Sequence, residues 1–192
     1  MENFDPELLF KPSKEKVDKR NEILNESIFS FGIEKSHSLL HVGCGSRNMS
    51  FVEYCINKNE KYIGIDANPQ VISECNSKFS NDGIKFNELT IQSVLDTAEE
   101  TKKTYDWIVL DGILDKNIYG DSQYEFVDTI IRNSLLISDI GLIIYMDSNP
   151  TKNDDIYNSD FMSVFIGTTY KRWNQIRLNE HQYLFSVCKY FV

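Results

Sequence analysis

The sequence predicts an α/β fold in which a parallel sheet is flanked by helices and followed by a C-terminal antiparallel β-hairpin. From Ser38 onward, short apolar runs alternate with longer helix-compatible stretches, which is the order expected of a parallel sheet with helical crossovers. This alternation ends near residue 170, where two β-rich runs, 170–178 and 182–191, are separated by the polar residues 179–181. Five α/β units followed by one hairpin are therefore expected.

The predicted strands are short and rich in β-branched, leucine and aromatic residues, and they cover residues 39–42, 62–66, 84–88, 107–111 and 142–147. The helices predicted between them cover residues 49–57, 69–79, 94–102 and 122–137. Pro69 suits the first turn of its helix, because the missing N–H costs no hydrogen bond there. Asn68, which precedes it, is a suitable N-cap.

Composition limits the classes of protein to which this chain can belong. Its 192 residues, 41% of them hydrophobic, suffice for one domain with a real core. The formal net charge of -9 disfavours a nucleic-acid partner, because phosphate backbones are normally bound by Lys and Arg. No run of about 18 uncharged apolar residues occurs, and the N-terminus lacks a basic start followed by an apolar stretch, so neither membrane insertion nor export is indicated.

The cysteines indicate a reducing compartment. No two of them form a C-x-x-C pair, and none has a histidine at metal-ligand spacing. The sequence therefore predicts neither a zinc site nor a disulfide framework for Cys44, Cys55, Cys75 and Cys188. We expect a cytoplasmic protein that needs no metal.

The first predicted strand leads into the glycine turn Gly43-Cys44-Gly45-Ser46. Glycines let the backbone approach a ligand closely, because they carry no Cβ. Asp66 ends the next strand about 20 residues downstream, where a carboxylate can accept hydrogen bonds from both hydroxyls of a ribose. Since Asn68 can cap the following helix, Asp66 is left for a ligand. Together these features predict a site for a cofactor that contains a nucleoside.

Two classes of cofactor suit such a turn. A dinucleotide fingerprint, G-x-G-x-x-G, requires glycine at position 48, where this chain has Asn48, so no close backbone cradle for a pyrophosphate is assured. S-adenosylmethionine has no phosphate, so the missing glycine matters less for it. The terminal hairpin also differs from the all-parallel arrangement of nicotinamide-binding domains, which favours S-adenosylmethionine.

Four segments of the chain resemble, in order, the successive motifs of the class I, Rossmann-like S-adenosylmethionine-dependent methyltransferases. These segments are residues 39–45, 63–68, 105–111 and 141–144. The resemblance covers roughly Leu39 to Val192 and includes the hairpin, which in that family inserts a reversed last strand into a seven-stranded sheet. It implies an enzyme that transfers a methyl group by in-line displacement to a small molecule or a protein side chain.

The resemblance also implies a cofactor site. The turn after the first strand would lie against the methionine part and the ribose, whose hydroxyls Asp66 would bind. The residues after the second and third strands would border the adenine, and those after the fourth would border both cofactor and substrate. The implied cofactor-binding residues are Gly43, Cys44, Gly45, Ser46, Asp66, Ala67, Asn68, Thr90, Ile91, Asp111 and Gly112. Residues 1–37 are expected to form a helical segment covering this cleft, and residues 38–192 to form the S-adenosylmethionine-binding domain.

Two positions depart from the family pattern. His41 stands where the family often has an acidic residue, and Arg47 stands where it often has a third glycine. The missing acid puts cofactor affinity in question. We interpret His41 as a hydrogen-bonded structural histidine in preference to a catalytic base.

Methyl transfer depends more on alignment than on acid or base strength. A general base is needed only if the acceptor is a hydroxyl or a protonated amine, and the candidates are then Asp111 and Tyr119. No N-P-P-Y or D-P-P-Y sequence follows the fourth strand, which disfavours a nucleobase amine or a glutamine amide as acceptor.

Two other functions stay open at this point. A catalytically silent binding or regulatory module with the same fold is compatible with His41 and Arg47. A nicotinamide-dependent oxidoreductase is disfavoured by Asn48 and by the hairpin.

Overall fold

The computed structural model describes residues 33–34, 36–45, 52–53, 56–57, 61–79, 83–114, 123–147, 162, 166–167, 170, 172–177 and 182–189. Residues 1–32 lie outside this set, so the expectation that the segment 1–37 covers a cleft stays a prediction.

Seven strands in the described part of the chain form one sheet. They are β1 (Ser38–Val42), β2 (Lys61–Asp66), β3 (Ile84–Glu88), β4 (Tyr105–Asp111), β5 (Ser138–Asp147), β6 (Trp173–Arg177) and β7 (Gln182–Cys188). The strand order is β3-β2-β1-β4-β5-β7-β6, with β1 to β5 parallel and β7 antiparallel to both of its neighbours. The reversed last strand is thus inserted between β5 and β6, which confirms the predicted fold class and hairpin.

The predicted strands agree closely with those observed. The first three differ by one residue or less at each end, whereas β4 and β5 begin earlier than predicted, at Tyr105 and Ser138 rather than at 107 and 142. The hairpin strands β6 and β7 are shorter than the predicted runs, and their connecting turn lies outside the described residues.

The helices whose bounds lie within the described residues are α1 (Pro69–Lys78), α2 (Ile91–Thr101) and α3 (Gln123–Leu136). The described positions 52–53 and 56–57 of the predicted helix at 49–57 are also helical. The predictions for α1 and α3 are confirmed to within one residue. The prediction for α2 began too late, at 94, because Thr90 is the N-cap: its hydroxyl accepts a hydrogen bond from the Ser93 N–H at 3.2 Å. None of the helices in the described residues is long and apolar enough to cross a membrane.

The sheet separates two hydrophobic cores, because successive strand residues point to opposite faces. Leu39 packs in one core and the next residue, Leu40, in the other. Helix α1 covers the face of Leu39, to which it contributes Ile72 and Cys75. Helices α2 and α3 cover the face of Leu40, to which they contribute Val94, Leu95, Val127, Ile130 and Ile131.

The order in which the strands are added to the sheet reverses at β1: β2 and β3 lie on one side of it, and β4 and β5 lie on the other. This strand pairs with β2 on one side and with β4 on the other, so the segments that follow β1 and β4 leave the sheet in opposite directions. In open parallel α/β sheets, ligands bind in the crevice at the carboxyl ends of the strands at such a point. The fold therefore directs attention to the residues that follow β1, β2 and β4.

Candidate functional site

The turn after β1 lies directly against the end of β4. Gly43 and Gly45 have φ of 73° and 43°, both in the left-handed region that favours glycine. A Cβ on Gly43 would overlap the carbonyl oxygen of Asp111 and would lie 3.1 Å from Ile113 Cγ2. Only a glycine at position 43 lets these two strand ends approach so closely.

Asp66, at the end of β2, connects this turn to the next loop. Its Oδ2 accepts a hydrogen bond from the Gly45 N–H at 3.2 Å, and its Oδ1 accepts one from the Asn68 N–H at 2.9 Å. Because a carboxylate offers about four acceptor positions, both oxygens keep capacity for further donors. The structure thus brings together the two features that the sequence singled out, the glycine turn and the carboxylate.

Asn68 supplies the N-cap of α1, as the sequence predicted. Its Oδ1 accepts a hydrogen bond from the Gln70 N–H at 2.9 Å, while its backbone carbonyl accepts one from the Ile72 N–H at 3.2 Å. Asp66 therefore does not cap the helix, and its side chain is held at the glycine turn instead.

The backbone N–H groups of the turn are engaged within the protein. Those of Gly43 and Cys44 donate to the Ile65 carbonyl at 2.9 and 3.1 Å, and that of Gly45 donates to Asp66. A phosphate-binding turn, in contrast, aims several backbone N–H groups at its ligand. Positions 43–45 therefore lack the donors of a phosphate cradle.

The pKa of the Cys44 thiol reflects burial and the charges near the turn. Its thiol is fully buried, and burial is the largest cause that raises its pKa far above the usual range, followed by the neighbouring Cys75. The negative charges of Asp66 and Asp111 raise the pKa further. Two carboxylates therefore lie close enough to the Cys44 thiol to affect its ionisation. Because the thiol stays protonated, Cys44 serves in packing rather than as a nucleophile.

His41 lies on β1 below the turn, and its ring contacts two other strands. It is fully buried, with Nδ1 2.8 Å from the Tyr62 hydroxyl and Nε2 3.4 Å from Asp111 Oδ2. The interpretation of His41 as a hydrogen-bonded structural histidine is confirmed. The sequence did not reveal its partners, because both contacts depend on the order of the strands.

Asp111 and Gly112 close the crevice on the side of β4. The Asp111 side chain is only 5% exposed and faces His41, while its backbone carbonyl touches Gly43. Gly112 has φ of 69°, and its N–H donates to the Tyr145 carbonyl at 3.3 Å. Asp111 therefore borders the glycine turn, whereas the contact shown for Gly112 joins the end of β4 to β5.

The loop after β3 is attached to the end of β2. The Leu89 N–H donates to the backbone carbonyl of Asp66 at 3.2 Å. Thr90 and Ile91 therefore follow close to Asp66, the residue proposed to bind the ribose. The Thr90 side chain caps α2, and Ile91 packs against the core. Leu89 is 40% exposed beside them and was not singled out in the sequence, although a large apolar residue just after a strand was a usable signal.

Several predicted residues lie outside the described part of the chain. They are Ser46, Arg47, Asn48 and Tyr119. Their proximity to the turn stays a prediction.

Comparison with known proteins gives one family match. A family profile described as a methyltransferase domain matches residues 33–172, which is most of the chain. No curated protein matches the chain in sequence.

Solved methyltransferase structures share the fold at low sequence identity. An S-adenosylmethionine-dependent methyltransferase from Archaeoglobus fulgidus has a TM-score of 0.63 and 14% identity, covering 96% of this chain and 100% of its own. The N-methyltransferase NodS from Bradyrhizobium japonicum has a TM-score of 0.60 and 17% identity, covering 93% and 98%. Magnesium protoporphyrin IX methyltransferase from Synechocystis, solved with bound S-adenosylmethionine, has a TM-score of 0.62 and 12% identity, covering 91% and 80%.

Proposed function

The chain belongs to the methyltransferase domain family, and we propose that it binds S-adenosylmethionine at its glycine turn and transfers the methyl group to a small molecule or a protein side chain. The observation that carries this proposal is the Asp66 carboxylate, which accepts a hydrogen bond from the Gly45 N–H at the carboxyl ends of β1 and β2. A carboxylate fixed in this way can receive the two hydroxyls of a ribose. Gly43 and Gly45 leave the floor of the crevice free of side chains.

The charge of the site supports S-adenosylmethionine over a dinucleotide. Asp66 and Asp111 both act on the Cys44 thiol, so a pyrophosphate would meet negative charge where it needs donors. The N–H groups at 43–45 are already used within the protein. A positively charged sulfonium, in contrast, is attracted to the same environment.

When bound, the cofactor supplies a methyl group on a positively charged sulfur. The task of the chain is then to hold the sugar through Asp66, to keep the reacting groups aligned and to exclude water from the crevice. Asp111 suits this task better than that of a general base, since its carboxylate is 5% exposed and faces His41. If the acceptor requires a base, Tyr119 is the other candidate from the sequence.

The acceptor proposed here follows from charge and from sequence motifs. A net charge of -9 disfavours a nucleic-acid acceptor. The related structures do not agree on one acceptor, because one is called an N-methyltransferase and another methylates magnesium protoporphyrin IX. A small molecule or an exposed protein side chain in the cytoplasm fits the chain best.

Calorimetric titration with S-adenosylmethionine tests the proposal. We expect micromolar binding by the wild-type chain and a loss of at least about tenfold in Asp66→Ala, because a hydrogen bond to a charged group contributes about 1.5–3 kcal/mol. Asp139→Ala is the matched control, since Asp139 is an exposed carboxylate at the amino end of β5, far from the turn. Its affinity should equal that of the wild type.

Two results would contradict the proposal. Absence of binding at millimolar S-adenosylmethionine would favour the catalytically silent module. A fluorescence change on mixing with reduced nicotinamide dinucleotide, competed by the oxidised form, would favour an oxidoreductase.

A further inference from the structure

Strand β6 ends where the other parallel strands end, at the carboxyl ends that form the proposed cofactor site. It is parallel to β5, because both strands are antiparallel to β7, which lies between them. Arg177, the last residue of β6, pairs with Tyr183, which in turn pairs with Met146 of β5. Since Asp111 pairs with Tyr145, the residue before Met146, Arg177 lies one row beyond Asp111. Three strand spacings, about 14 Å, separate β4 from β6.

Arg177 differs in position from the other positive side chains that border strands. Within the described residues, no other Lys or Arg ends or follows a strand at the carboxyl ends of β1 to β6. The others that border strands in this part of the chain lie at the amino ends of the parallel strands, and they are Lys61, Lys102, Lys103, Arg172 and Lys189. A guanidinium is always protonated in proteins. Arg177 therefore places a permanent positive charge where the acceptor has to approach.

The guanidinium of Arg177 lies over an aromatic ring that is itself fixed in the core. Its Cζ is 5.9 Å from the centroid of the Tyr183 ring, within the range of a cation–π contact. The Tyr183 ring is buried and stacks on the fully buried Phe185, with the ring centroids 6.5 Å apart. Arg177 is exposed, and its five N–H donors are more than a single partner can take up. The ring thus restrains the guanidinium, which loses less conformational entropy when it binds a ligand.

From this arrangement we propose that the methyl acceptor is an organic acid and that Arg177 binds its carboxylate. A guanidinium binds a carboxylate through two parallel hydrogen bonds, and one arginine balances the single negative charge of that group. The inference rests on the proposed cofactor site, because it expects the methyl group near the ends of β1 and β4. The acceptor then extends from β6 toward β4, with its acid group at Arg177 and its methylated atom near Asp111. Arg177 orients the substrate and takes no part in methyl transfer.

Bisubstrate probes test this inference although the natural acceptor is unidentified. In each probe, a nitrogen replaces the sulfur of S-adenosylmethionine and carries an alkyl tether that ends in a carboxylate or, in the matched probe, in a carboxamide. The cofactor part anchors both probes at the glycine turn, and tethers of increasing length extend toward β6. The measurement is the ratio of the dissociation constants of the amide and acid probes at each length, determined by calorimetry.

We expect the wild-type chain to prefer the acid probe about threefold at low salt, and only when the tether is long enough to reach β6. Because salt screens an ion pair with an exposed side chain, the preference should shrink as the ionic strength rises. Arg177→Met should abolish the preference and keep the affinity for the amide probe. Arg172→Met is the matched control: it removes the same charge just before the opposite end of the same strand, and it should keep the preference.

The proposal is overturned if the wild-type chain binds S-adenosylmethionine but does not prefer the acid probe at any tether length. It is also overturned if Arg177→Met and Arg172→Met reduce the preference equally, or if the preference does not change with salt. If Arg177→Met shows no cooperative thermal transition, Arg177→Gln decides: a retained preference overturns the proposal and a lost preference supports it. Failure of the proposed function looks different, because the wild-type chain would then bind neither S-adenosylmethionine nor any probe.

Discussion

At the scale of single residues, Gly43 determines whether the ends of β1 and β4 can meet. Its φ of 73° and the proximity of the Asp111 carbonyl leave no room for a side chain. We expect Gly43→Ala to lose at least about 1–2 kcal/mol of unfolding free energy from the left-handed backbone alone, and more from the overlap. We also expect it to lose S-adenosylmethionine binding. Urea unfolding and calorimetry measure the two effects.

Gly83→Ala is the control for backbone strain. Gly83 has φ of 93° in an exposed turn at the amino end of β3, whereas the proposed site lies at the carboxyl ends of the strands. It should lose stability while keeping cofactor affinity. Normal binding by Gly43→Ala would remove the turn from the proposed site.

At this scale, the sequence could predict only the roles that depend on neighbouring residues in the chain. The N-cap role of Asn68 follows from its position before Pro69, and the availability of Asp66 followed from that role. The contacts of His41 with Tyr62 and Asp111 could not be predicted, because they join residues that are 21 and 70 positions apart along the chain. Such contacts depend on which strands become neighbours, and hydrophobic patterns do not specify this.

At the scale of elements, the pairing of β1 with β4 is fixed at its amino end by Ser38 and Asp106. Asp106 Oδ2 accepts hydrogen bonds from the Ser38 N–H at 2.6 Å and from its hydroxyl at 2.7 Å, and the Asp106 N–H donates back to Ser38 Oγ at 3.0 Å. Partial burial alone would raise the pKa of Asp106. The hydrogen bonds from Ser38, with the nearby positive side chains, outweigh burial and hold the pKa below its usual value.

A lowered pKa in the folded state predicts how stability changes with pH. The contribution of ionised Asp106 is complete above the pKa of an unfolded aspartate, about 3.9, and is lost as the pH falls through the lower folded value. We therefore expect Asp106→Asn to be less stable than the wild type at pH 7, by about 1–3 kcal/mol, and the difference to shrink below about pH 4. Urea unfolding at several pH values measures this difference.

Thr104→Ala provides the comparison for that experiment. The Thr104 hydroxyl donates to Asp139 at 2.7 Å near the same end of the sheet, but both residues are exposed. Its effect on stability should be small at every pH. A difference for Asp106→Asn that does not change with pH would exclude the proposed charge effect.

Element boundaries could be predicted where the chain carries a local signal. Strands β1, β4 and β5 were found because parallel strands buried on both faces are short apolar runs, whereas the edge strand β3 is largely exposed. Helix α2 was placed too late because its prediction began at Val94 and did not use Thr90 as an N-cap; the resemblance assigned Thr90 to the cofactor, although it also had the chemistry of an N-cap. A residue suited to two roles cannot be assigned to one of them from sequence alone.

At the scale of the whole molecule, the C-terminal hairpin is part of both cores. Along β7, Leu184 packs in the core covered by α1, and the next residue, Phe185, packs in the core covered by α2 and α3; both side chains are fully buried. Strand β7 also pairs with β5 over seven registered positions, from Gly141 to Asp147. Because the last strand completes both faces, the sheet cannot form its full cores before the C-terminal residues are in place. Two β-rich runs around a polar turn predicted the hairpin, but only the resemblance implied that its reversed last strand is inserted into the sheet.

This arrangement predicts that shortening one buried side chain of β7 destabilises the entire domain. Leu184→Ala should lower the unfolding free energy by about 2–5 kcal/mol, as expected for a fully buried leucine. Leu136→Ala makes the same chemical change at a side chain that is 70% exposed, and it should cost less than about 0.5 kcal/mol.

Circular dichroism and tryptophan fluorescence should report one coincident transition for each variant, since Trp107 of β4 and Trp173 of β6 lie in the same sheet. If the fluorescence transition of Leu184→Ala separated from that of the helices, the hairpin would be an independent unit and β7 would not join the two cores.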